Sequence, residues 1–428
     1  MCKDIYILGG GASGMFAAIN AAFLAKENNI NISVSIIEAN SKPGKKILST
    51  GNGRCNITNA EISKDRYHCK DTGFISNILK EYSNTDTINT FEKLGLLLTD
   101  RNGYIYPCSM QAASVTDTLI SCCILSGVKF INNTIVKDIS FDSSSQKFHI
   151  SAVSNSDSGS IHTYIGDKVL ISCGTKAGIK TDYSYSIMKS VAGFGHCIDN
   201  YMPALCSVYI DVKYKDFFKN ANGVRSEVTV ALSVNNAVSD IYSGELQITD
   251  YGLSGIVIFQ LSSSISKALN EMSVPEVIID FLPLYTSNEL YNVVSTQLFF
   301  NKKSLLDILS GLLNKKLALS LIGLYSGLRD NNIKPYSKDL SEKTLTDIFN
   351  FIKNVHFPVI KTNDYLHAQI CCGGVRVEEI DCNTMESKLI KGLYFSGECI
   401  NVDGICGGYN LQFAWSTGYI AGRSMIYD

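Results

Sequence analysis

The sequence predicts an α/β fold built on a parallel sheet, and two stretches carry that expectation. The first is Ile5-Tyr6-Ile7-Leu8-Gly9-Gly10-Gly11-Ala12-Ser13-Gly14, an apolar run that breaks into glycines and then into a helical pattern. The second is Ile32-Ser33-Val34-Ser35-Ile36-Ile37-Glu38, another short strand, which ends in an acid. A strand, a G-x-G-x-x-G turn, a helix and an acid about 20 residues further on form the phosphate grip of a dinucleotide-binding, Rossmann-like unit. In that grip Gly9 allows the tight turn, Gly11 lets the backbone approach a pyrophosphate, and Gly14 lets the helix pack on the strand. The first turn, with Ala12 and Ser13, offers free N–H groups and a positive dipole end to the phosphates, and Glu38 meets a ribose hydroxyl.

The helix after the glycines carries Met15, Phe16, Ile19 and Phe23 among alanines, small enough to lie close to a sheet. From Ser41 to Asn59 little can form a core. Three glycines, three lysines, Arg54 and short amides make a loop rich in donors, suited to an anionic, oxygen-rich ligand or else simply solvated. Residues 128–148 read as strands and 154–160 as a hairpin tip. Lys168 to Thr175 is a further buried strand ending in small residues.

Alternation such as Val224-Arg225-Ser226-Glu227-Val228-Thr229-Val230 suggests an antiparallel β region from about 201 to 285. From about 286 to 355 the period changes. Leu305, Ile308, Leu309 and Leu312, then Leu345, Ile348, Phe349 and Ile352, mark amphipathic helices. Leu393-Tyr394-Phe395-Ser396-Gly397-Glu398 is a late strand that ends in a glycine and an acid. Gly404, Gly407 and Gly408 then precede a helix beginning near Tyr409-Asn410-Leu411-Gln412.

Composition bounds the function. The 428 residues are long enough for two or three domains, and 38 basic against 40 acidic side chains leave a net charge of −2, so no global field draws the chain to nucleic acid or membrane. Between 301 and 361, however, ten Lys/Arg face five acids, a locally basic insert. The chain runs straight into its glycine motif without a charged-then-apolar leader, and no apolar run approaches the ~18 residues of a membrane span. A cytoplasmic protein without stable membrane association is expected. Fourteen cysteines in that setting are free thiols, mostly small core residues, and their spacing with the six histidines suggests no metal site.

The loop Gly44 to Asn59, with Gly44-Lys45-Lys46 and Thr50-Gly51-Asn52-Gly53-Arg54-Cys55-Asn56-Ile57-Thr58-Asn59, resembles a segment of the BaiN-like flavoproteins, also labelled the BaiN/RdsA or aminoacetone-oxidase family. The similarity returns at Gly392 to Glu398, at Val402-Asp403-Gly404-Ile405-Cys406-Gly407-Gly408-Tyr409-Asn410-Leu411-Gln412-Phe413-Ala414-Trp415 and in Gly244 to Gly255. The resemblance implies a two-dinucleotide-binding-type FAD domain in two parts, 1–200 and 356–428, with a β domain and helical cap inserted over 201–355. It implies FAD contacts from Lys45, Lys46, Gly51, Asn52, Gly53, Arg54 and Asn56. Val136 would read adenine, and Gly174 and Thr175 would stand near the pyrophosphate. Gly397 and Glu398 would hold the ribityl chain, and Gly407, Gly408, Tyr409, Asn410 and Leu411 would lie beside the ring. Two departures stand out: Asp182-Tyr183-Ser184-Tyr185-Ser186 replaces a glycine-rich turn, and Cys371-Cys372 stands where the family has alanine or threonine. That pair reads as packing residues, as tuners of the ring, or as a vicinal disulfide.

The activity implied is reduction of an activated C=C bond, in an enone-type small molecule or in uridine of ribosomal RNA. Electrons would come from NAD(P)H docking transiently at the flavin, since no second nucleotide motif is present. A proton is then needed at the neighbouring carbon, and Cys55, beside Arg54, is the candidate acid. The alternatives are an amine oxidase of the aminoacetone type and a flavin-bearing redox sensor or scaffold.

Overall fold

A computed structural model describes residues 2–154, 160–296, 300–330, 332–338 and 340–427, so most of the hairpin tip expected at 154–160 lies outside the described residues. The chain divides into two compact units. One joins the stretch up to Tyr201 with that from Gln369 onward, and the other is Met202–Ala368.

The first unit is Rossmann-like. Its main elements are β1 (Lys3–Leu8), α1 (Ala12–Glu27), β2 (Ile32–Ile37), β3 (Lys129–Ile131), β4 (Lys168–Ile171), β5 (Leu393–Phe395) and α2 (Tyr409–Tyr427). The strands form one five-stranded sheet in the order β5-β4-β1-β2-β3, parallel at every step. Such a sheet is covered on both faces, so its strands carry mostly apolar residues. Ile5, Ile7, Leu8, Ile36, Val169, Leu170, Ile171, Leu393, Tyr394 and Phe395 are accordingly all sealed from solvent.

Helices α1 and α2 pack against each other through small residues. A Cβ added at Gly418 would stand 2.6 Å from the Ser13 carbonyl oxygen, and one at Gly422 would stand 2.4 Å from that of Ala17. The alanines of α1 thus serve a helix from the far end of the chain. Trp415 of α2 is fully buried against Phe16 and Phe91, and its indole N–H donates to the Ile57 carbonyl at 3.0 Å. Phe23, grouped in the sequence with the core residues of α1, is 56% exposed. Among the described residues no helix is long and apolar enough to cross a membrane.

The second unit is organised by a closed antiparallel barrel, in the order Val208–Ile210, Gly252–Gly255, Ala237–Ile248, Arg225–Val234, Pro275–Asp280 and Val355–Thr362. The last strand corrects the expected return at 356. Val355–Thr362 pairs with Pro275–Asp280 on one side and Val208–Ile210 on the other, so the barrel cannot close without it, and the first unit resumes at Gln369. The alternation behaves as read, with Val228, Val230 and Leu232 inward and their neighbours more exposed. One helix was not legible. Ile256–Asn270 lies inside the expected β region, because Ser262, Ser263 and Ser266 are buried on the same face as Val257, Ile258, Leu261 and Ile265 and mask its apolar period. The helices Ser287–Ser295, Leu305–Ser310, Lys315–Arg329 and Glu342–Ile352 share one core with the barrel.

The α1–α2 contact has a direct test. Gly422→Leu must push the helices apart, and overpacking of this kind costs about 1–3 kcal/mol. We expect a lower thermal unfolding midpoint, followed by circular dichroism, and an unchanged midpoint would place the helices further apart than described.

Candidate dinucleotide site

The turn after β1 is built by steric demand. Gly9 sits at φ +113°, and a Cβ there would meet the Ser172 carbonyl oxygen at 2.4 Å. Gly14 lies deeper, where a Cβ would come within 2.1 Å of the Gly9 carbonyl oxygen, so its role is packing. Gly11 is different. A Cβ there meets nothing within 4 Å, because the residue faces a cavity. It is also the N-cap of α1, with no side-chain cap and no acid in the first turn. The first N–H groups of a helix have no intrahelical partner, so an uncapped N-terminus on a cavity wall suits an anion. Ala12 and Ser13 complete that wall.

Two carboxylates face the same cavity, each held in the same manner. Glu38 is buried, and its Oε1 accepts from the backbone N–H and side-chain amide of Asn40 at 2.8 and 2.7 Å while Oε2 accepts from the Gly10 N–H at 2.8 Å. Glu398 accepts on Oε1 from the Thr175 hydroxyl at 2.7 Å and the Cys371 N–H at 3.0 Å, and on Oε2 from the Lys46 ammonium at 2.5 Å. An ionised carboxylate has about four acceptor sites, so each keeps one on Oε2. Each is oriented by the protein and still able to take a ligand hydroxyl.

The cavity is also lined by Lys45, Val136, Gly174, Gly397, Asn410 and Leu411, six further candidates of the sequence. Two of these have prior commitments. The Asn410 side chain accepts from the Gly404 N–H at 2.8 Å and donates to its carbonyl at 2.7 Å, fixing the entry to α2. The Val136 carbonyl accepts from the Ser186 hydroxyl at 2.5 Å.

The remaining candidates lie off the cavity wall. Gly51, Asn52 and Gly53 all have positive φ and shape a self-contained coil whose Gly51 faces the Asn56 backbone N–H. Arg54 is exposed, whereas Asn56 Oδ1 is buried without a hydrogen-bond partner and is the one unmet polar atom of this group. Gly407 and Gly408 make room for the protein's own groups, since a Cβ on Gly407 would meet the Tyr409 ring at 2.9 Å and one on Gly408 would strike the Thr58 backbone at 2.7 Å. The Tyr409 hydroxyl donates to the Glu61 carbonyl at 3.3 Å. Cys55 is fully buried, and its thiol is pushed up to about 12 by burial, with no pull from Arg54. The thiol is thus sealed in the core and off the cavity wall. Cys371 and Cys372 are buried and not joined in a disulfide; burial, then the Glu398 charge, pushes Cys371 up to about 12.

Sequence reasoning missed several residues. Gly10 and Asn40 orient Glu38, and Thr134, Tyr183, Ile187 and Val402 line the cavity. Tyr183 carried a signal, as part of the segment replacing a glycine-rich turn. The donor set fits a dinucleotide: an uncapped helix N-terminus for the phosphates, flanked by two pre-oriented carboxylates for hydroxyl groups.

Comparison with known proteins agrees. Residues 3–424 match a family model described as the HI0933-like protein Rossmann domain. The chain is 39% identical over 426 residues, covering 98% of each protein, to the 3-dehydro-bile acid delta(4,6)-reductase of Clostridium scindens. It is 28% identical to the ribosomal RNA dihydrouridine synthase of Haemophilus influenzae, over 98% of this chain and 97% of that protein. Among solved structures, 3-ketosteroid-delta4-(5alpha)-dehydrogenase from Rhodococcus jostii shares the fold, with a TM-score of 0.51 at 12% identity over 100% of this chain and 97% of that one. The chain belongs to the HI0933-like Rossmann family and is an FAD-dependent oxidoreductase.

Proposed function

We propose that the chain reduces an activated C=C bond in an enone-type small molecule, with NAD(P)H as the electron donor. The observation that carries this reading is the 39% identity, across 98% of both chains, to a reductase acting on a 3-dehydro bile acid. When bound, FAD supplies hydride chemistry. The residues of the first unit do the rest. The N–H groups at the start of α1 hold the pyrophosphate, Glu38 takes an adenosine ribose hydroxyl, and Glu398 takes a hydroxyl of the ribityl chain. Lys46, bonded to Glu398, adds positive charge at that end of the cavity.

A second reading is reduction of uridine in ribosomal RNA. It is favoured by the relatives of that name at 28% and 27% identity and by the excess of Lys/Arg between 301 and 361. Stopped-flow mixing tests the first reading: NAD(P)H bleaches the flavin rapidly, and a 3-oxo-4,6-diene bile acid restores its colour. Dihydrouridine lost from ribosomal RNA in cells lacking the gene, with no enone turnover in vitro, would select the second. Bleaching by amines instead of NAD(P)H would replace both by an amine oxidase.

The cofactor grip makes a graded prediction. Gly11→Leu fills the space at the helix N-terminus, and we expect colourless protein that cannot be reconstituted with FAD. Glu38→Ala removes one charged hydrogen bond to the ligand, worth about 1.5–3 kcal/mol, and frees the Gly10 N–H. Weaker FAD binding with a nearly unchanged flavin spectrum is expected in a fluorescence titration, and unchanged affinity would move the ribose elsewhere.

Cys55→Ala should retain FAD and enone turnover while losing stability, because the thiol packs in the core. A fall in turnover of ~100-fold, the signature of a lost positioned acid, would restore Cys55 to catalysis.

A further inference from the structure

At its Glu38 end the wall of the dinucleotide cavity is continued by an element to which no role has been given. The Thr134 N–H donates to the Glu38 carbonyl at 2.9 Å, so the strand Thr134–Asp142 starts beside that acid. Two serines one turn apart then fasten the helix Ser184–Gly193 to this strand. The Ser186 hydroxyl donates to the Val136 carbonyl at 2.5 Å, and Ser190 Oγ donates to Asp138 Oδ1 at 2.9 Å while accepting from the Ile139 N–H at 3.0 Å.

The start of the helix is fixed as well. Asp182 Oδ1 accepts from the Ser184 N–H at 3.0 Å and from its hydroxyl at 2.6 Å, and Tyr183, between them, is the N-cap residue. None of these bonds uses the tyrosine side chain, so the helix is held without it. Tyr183 is half-buried and lines the cavity together with Thr134, Val136 and Ile187. The other aromatic residue of that wall, Phe413, is buried in α2 against Tyr67.

We infer that Tyr183 is the contact residue for the adenine of FAD, an inference that rests on the proposed placement of the adenosine ribose at Glu38. The base is bonded to that ribose, so it must lie against the walls that adjoin the acid, and these are Thr134, Val136, Ile187 and Tyr183. Adenine presents flat π-faces, and an aromatic side chain stabilises such a face whatever hydrogen bonds the edge of the base makes. Val136 and Ile187 add apolar surface around it. The segment 182–186, which departs from the glycine-rich turn of similar flavoproteins, thereby supplies a side chain to the cofactor where glycine offers backbone alone.

The test reads binding by the full chain, in fluorescence titrations with FAD and in competition by ADP, which carries only the adenosine half. Tyr183→Ala removes the ring and leaves Ser186 and Ser190 to hold the helix; we expect FAD and ADP each to bind ~10-fold or more weakly, with the absorption spectrum of bound flavin unchanged. Tyr183→Phe keeps the face, loses only the hydroxyl and should bind both ligands like wild type. Wild-type affinity in Tyr183→Ala overturns the assignment. So does weaker FAD binding without weaker ADP competition, an equal loss in Tyr183→Phe, or a shifted flavin spectrum, which would put the residue beside the flavin ring. None of these readouts involves turnover, so a protein that binds as expected and reduces no enone removes the C=C reading and keeps the adenine contact. Wild-type FAD affinity in Glu38→Ala marks a failure of the ribose placement, separately from the Tyr183 result.

Discussion

A carboxylate drawn out of water needs donors, and the donors that Glu398 finds come from three remote parts of the chain. Lys46 belongs to the loop after β2, Thr175 follows β4, and Cys371 opens the return from the second unit. Removing any of these leaves a partly buried charge under-satisfied, which costs more than the bond itself contributes. The first unit is interrupted between Tyr201 and Gln369, and on the wall of the cavity this side chain joins residues from its two halves, beside the α1–α2 packing. Glu38 repeats the design at the other end with donors from Gly10 and Asn40.

The inserted unit solves a different problem. Its barrel closes on itself, so its strands have no free edge to protect. The outward faces can then carry polar and aromatic groups such as the Tyr209–Tyr251 pair. Closure also dictates that Val355–Thr362 belongs to the insert, and that the short segment carrying Lys361 and Asn363 is held close to Ser207.

What was legible in the sequence was local geometry. A glycine turn between strand and helix, and an acid at the end of each of two strands, need only a few neighbouring residues to be recognised, and Gly9, Gly11, Glu38 and Glu398 all line the cavity. What was not legible depends on remote partners. Gly408 looks like a residue making room for a ligand until Thr58 is seen to lie 2.7 Å from the place of its Cβ. Cys55 beside Arg54 looks activated until its burial is known, and burial sends the thiol the other way. The helix Ile256–Asn270 was hidden because serines occupy part of its inward face.

The remoteness of these contacts also orders the folding of the chain. In the first unit β1 pairs with a strand that begins at Lys168, and α1 is covered by a helix that starts only at Tyr409. Contacts so distant in sequence impose a large loop-closure entropy and slow folding. The second unit is continuous, from Met202 to Ala368, and its barrel has shorter loops to close. Once formed, it shortens the effective tether between Tyr201 and Gln369, so the insert acts as an internal staple that lowers the entropic barrier to assembling the unit around it.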